Sequence, residues 1–123
     1  MEFRAAQMEV LSAGAVARFE EEVLADLRAS FPDLFAARGD EAARALVHEA
    51  RTRAQEHGFS SEAQVAQYLG IAFVLGAHFD TDEALPWAAK ILADPALADP
   101  DVRIERLEAG ARAHLRGLVM GKA

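Results

Sequence analysis

Cysteine is absent from this 123-residue chain. That excludes disulfides and thiolate metal sites, and it favours a cytoplasmic home. Lysine is scarce beside arginine, and alanine is abundant. This reads as the coding habit of a GC-rich bacterium, with the physical consequence that helix propensity is high and close helix packing is allowed. A signal-peptide layout is missing: Met1-Glu2-Phe3-Arg4 is followed by Gln7 and Glu9, not by a basic and then an apolar stretch. Long apolar runs are missing too. The best, Val65 to Phe79, is broken by Gln67, His78 and two glycines and falls short of the ~20 residues a membrane span needs. It is read as a core helix, and no membrane insertion is expected. Net positive charge is also lacking. At −7, with a pI near 5.0, the chain is a poor phosphate binder, so nucleic acid is excluded as a partner and a basic partner is favoured.

What is present is a globular composition, 52% apolar and 27% charged, long enough to bury a core without staples. The expectation is one helical domain over 1–123. A first helix is predicted from Ala5 to Ser30, because Met8, Leu11, Ala15, Phe19, Val23 and Leu27 recur every three or four residues. Glu9, Arg18, Glu21 and Arg28 fall off that stripe, and Glu20-Glu21-Glu22 reads as a solvated helix face. Pro32 stops this helix, leaving Phe31-Pro32-Asp33-Leu34-Phe35 as a tight apolar turn that tucks two aromatics under the bundle.

A second helix is predicted after Gly39, with Asp40 as its N-cap and Ala43, Leu46, Val47, Ala50 and Ala54 as its inner face. Gly58 terminates it, with Phe59 placed for the contact that often follows. Ser61 and Gln64 form a capping box for a third helix, Glu62 to Ala77. Its second half is apolar nearly all round, which makes it the central helix. Gly70 and Gly76 are expected to let a neighbouring backbone come close. A short helix, Trp87 to Ala93, and a last one opened by Asp99-Pro100 complete the chain. Ile104, Leu107, Ala111, Leu115 and Leu118 mark the inner stripe of the last helix, and Gly121 and Lys122 should fray. The predicted fold is an all-α, compact bundle of four long helices plus one short helix.

Chemistry-bearing clusters are few. His78, Asp80, Asp82 and Glu83 could hold a hard cation, but the calcium-loop glycine and glutamate positions are filled by Leu85 and Ile91. The plainer reading is a helix-entry loop in which Asp80, Thr81 or Asp82 caps the next turn. His48, His57, His78 and His114 show no metal spacing. A haem held by His78 alone has no second signal beside it. His57 before Gly58 suits a helix C-terminus, and His114 should lie beside the buried face. Arg103, Arg106, Arg112 and Arg116 scatter around the last helix and read as a snorkelling flank. With no phosphate loop, nucleophile elbow or paired carboxylates, no catalytic residue, metal or cofactor is expected. Trp87 is read as core or, alternatively, as an interface anchor.

Phe31-Pro32, His57-Gly58, Gly76 with Phe79-Asp80, Pro86-Trp87 and Ile91-Leu92 occur in an order that spans most of the chain. In this the chain resembles small helical bacterial proteins associated with type VI secretion and other toxin-delivery loci. The resemblance implies a non-enzymatic accessory role: an adaptor or chaperone for a secreted effector, or a toxin immunity protein, whose partner is an effector, toxin or secretion-system component. Asp80, Asp82 and Glu83, as an acidic rim beside Trp87, are the expected interface. The alternative is a small-ligand, metal or haem domain centred on His78 and the nearby acids.

Overall fold

A computed structural model describes residues 13–120, so the expectations at Met8, Glu9, Leu11, Gly121 and Lys122 lie outside the described residues, as does the side chain of Leu118. Six α-helices follow in order: α1 (Ala13–Ser30), α2 (Pro32–Arg38), α3 (Asp40–Glu56), α4 (Glu62–Leu75), α5 (Pro86–Ala93) and α6 (Pro100–Met120). Tight 3-10 turns at Phe79–Thr81 and Pro95–Leu97 flank α5. No strand occurs among the described residues, and the fold is all-α.

The expected apolar turn after α1 is in fact the helix α2, which makes six α-helices among the described residues where five were expected. Pro32 both ends α1 and begins α2, since its fixed φ and missing N–H suit a first helical position. Asp33 then sits favourably in the first turn. Of the two aromatics, Phe35 is buried, with its ring 5.9 Å from that of Phe73, whereas Phe31 stays 37% exposed at 6.1 Å from the same ring. Arg38 donates to the Phe73 carbonyl at 2.8 Å and lies over the Phe73 ring.

The N-cap of α3 is Gly39, not Asp40. A single residue links α2 to α3, and its φ of +90° belongs to glycine, which moves Asp40 inside the first turn. There Asp40 pairs with Arg44 at 2.8 Å and with Arg28 at 3.2 Å. The acidic run on α1 is likewise more than a solvated face. Glu21 meets Arg44, and Glu20 accepts from Arg51 at 2.6 Å, so two of the three acids tie α1 to α3.

The end of α3 and the start of α4 follow the sequence closely. Gly58, at φ +92°, donates to the Gln55 carbonyl while Phe59 donates to that of Ala54, and Phe59 is fully buried. These are the two bonds of the Schellman motif. Three residues on, the Ser61 hydroxyl accepts from the Gln64 backbone N–H at 3.0 Å and the Gln64 side-chain Oε1 accepts from the Ser61 N–H at 3.3 Å. Both halves of the capping box are present.

Helix α4 is the hub. Val65, Tyr68, Leu69, Ala72 and Phe73 have no exposure, and α3, α6 and α1 all pack against it. It ends at Leu75 rather than Ala77, because Gly76 turns the chain at φ +112°. The close backbone approach expected at Gly70 and Gly76 is absent: a Cβ built at either would meet nothing within 4 Å among the described residues. The tight contact is made by a side chain at Gly110 on α6, where a Cβ would lie 2.7 Å from the Trp87 ring. Across the α4–α6 contact, Gln64 donates to Asp101 at 2.6 Å and Gln67 to Glu108 at 2.9 Å. Asp99 caps α6 through the Asp101 N–H, and Arg103 folds back onto the Leu97 carbonyl.

Candidate functional site

Two regions stand out: a polar ladder between α3 and the loop after α4, and an apolar groove on the opposite side of the hub helix. The ladder begins with helical spacing. Glu49, Arg53 and His57 recur every four residues and so form one ridge of α3. Gly76 and the 3-10 turn lay His78, Asp80 and Thr81 against that ridge. His78 meets Glu49 in an exposed pair. Asp80 is 4% exposed and takes both Arg53 nitrogens, at 2.7 and 3.2 Å, together with His57 Nε2 at 2.8 Å.

Electrostatics follow from this enclosure. Burial pushes the Asp80 carboxyl up, but the hydrogen bonds and charges of Arg53 and His57 outweigh it and hold the group below the ordinary carboxylate range. The hydrogen bond to Asp80 raises Arg53 in turn, against its own partial burial. Tyr68 lies beneath, fully buried, its ring 4.9 Å from Phe79 and 6.0 Å from His57. Burial first, and then the nearby Asp80 charge, push its phenol well above the usual value. Its hydroxyl has no hydrogen-bond partner of good geometry among the described residues.

The four residues expected to form one interface lie on neighbouring segments but differ in exposure. Asp80 is withdrawn from the surface, because Arg53 on α3 and His57 at its C-terminal cap hold it, and at 4% exposure it cannot serve as a rim charge. Asp82 is exposed and accepts from the Ala84 N–H at 2.9 Å, so it shapes the entry to α5. Glu83 is exposed. Trp87 is half-buried, its ring laid over Gly110 and 6.2 Å from His114, with its indole nitrogen enclosed. Asp80 and His57 supply the carboxylate and imidazole of a nucleophile-activating triad, yet no hydroxyl is hydrogen-bonded to His57 among the described residues. The Thr81 hydroxyl is turned to Arg53 and to the His78 carbonyl. No group of three or more potential metal ligands converges among the described residues.

The groove lies between α1 and α6, above the strip of α4 that neither covers. Ala66, Gly70 and Val74 form its floor, at a spacing of four that brings them onto one line of the helix. Val23, Leu27 and Phe31 make one wall, Ala111 and Leu115 the other, and the space amounts to about 440 Å³. Ser30, Gln67, Asp26, Glu108 and Arg112 contribute the polar edges. Sequence reasoning missed this region, because a helix that is apolar nearly all round does not show which of its faces goes uncovered. The signal that could have located it is the alanine–glycine pair at positions 66 and 70.

Comparison of the chain with models of protein families, with curated proteins and with solved structures gives no match. No described helix is long and apolar enough to cross a membrane.

Proposed function

We propose that the protein is a non-catalytic binding module that holds another protein in the groove between α1, α4 and α6. The observation that supports this best is the half-buried apolar strip Ala66–Gly70–Val74, which no described residue covers, with the exposed Phe31 beside it. An apolar trough of this size with few polar groups is suited to apolar side chains from a partner. The resemblance in sequence makes the partner an effector, a toxin or a component of a delivery system. The protein would then be a cytoplasmic adaptor, chaperone or immunity factor. Contact through Asp82, Glu83 and Trp87 has less behind it, since the indole face is spent on Gly110 and Asp80 is enclosed.

Site-specific photocrosslinking in the native host tests the reading. A benzophenone side chain placed at Val74 should capture one discrete protein, and the same group at Asp82 should not. Capture at Asp82 alone, or at neither position, would remove the groove from consideration.

A further inference from the structure

We draw no further inference here: the strongest candidate, the apolar groove between α1, α4 and α6, carries nothing beyond the reading above, because the exposed Arg18 and Arg116 offset the exposed acids Glu22 and Asp26 and nothing in the structure shows what covers it.

Discussion

Replacing Asp80 by alanine probes the ladder most directly. The substitution leaves the Arg53 guanidinium without its counter-charge and the His57 ring without its hydrogen-bond partner, both side chains about a quarter exposed. Removing one member of a buried pair costs about 3–5 kcal/mol when the remaining charge is wholly enclosed. Water reaches part of the Arg53 guanidinium and of the His57 ring, so the expected loss is about 2–3 kcal/mol, a substantial share of the roughly 5–15 kcal/mol of a small domain. At this chain length that lowers the melting temperature by about 10 °C. Asp82→Ala is the control, because it removes an exposed turn bond worth about 1 kcal/mol or less. Thermal and urea melts followed by circular dichroism measure both. The carboxyl of Asp80 is held below its ordinary value of 3.8, so the unfolded chain takes up the proton first. The stability it contributes is therefore present above that value and is lost as pH falls through the lower, folded-state pKa. Asp80→Ala should accordingly flatten the acid limb of the stability profile. If Asp80→Ala and Asp82→Ala melt within a degree of each other and lose stability equally in acid, the ladder does not hold the loop.

The glycines give a second set of outcomes. Gly110→Ala drives a Cβ into the Trp87 ring and should cost about 1–3 kcal/mol, with a shift in tryptophan fluorescence. Gly117→Ala, a helical position with open space, should be neutral or stabilising by up to about 1 kcal/mol in the same melts. Phe73→Asp places an unpaired charge at a position with no exposure, against Phe35 and Phe31, and should abolish the cooperative helical melt altogether. A soluble, sharply melting Phe73→Asp protein would show that the core lies elsewhere.

Local signals in the sequence carried over well, and long-range ones did not. Gly58 with Phe59, Ser61 with Gln64, and Asp99 with Pro100 each act within a few residues, so the chain states them openly. Pro32 was half legible. Its effect on the residue before it is to stop a helix, and its effect on those after it is to start one, and the sequence pattern alone points only to the first. Asp40 had the side chain of a cap, but the one-residue link before α3 demanded the backbone of Gly39 instead. Asp80 looked like a surface acid because its partners lie 23 and 27 residues away on α3. Their common ridge only becomes visible once α3 and the loop are placed side by side. Glu20 and Glu21 show the same limit, since their arginine partners also lie on α3. The groove is the extreme case: it is defined by which of two neighbours fails to cover a strip of α4, and that is decided by tertiary packing alone.

The junction between α3 and α4 has a consequence for the order in which the molecule is built. Within five residues, His57 to Ser61, the chain both closes one helix and opens the next, using only groups from that stretch and its immediate flanks. The two helices it joins then bury Ala50, Ala54, Val65, Tyr68 and Leu69 between them and their neighbours. Little loop entropy opposes such a pairing, so the α3–α4 hairpin can collapse early, before the distant ends of the chain have met. Helices α1 and α6 then find a template already in place. The floor of the groove thus belongs to the locally connected hairpin, and its walls to helices brought in from the two ends of the described chain.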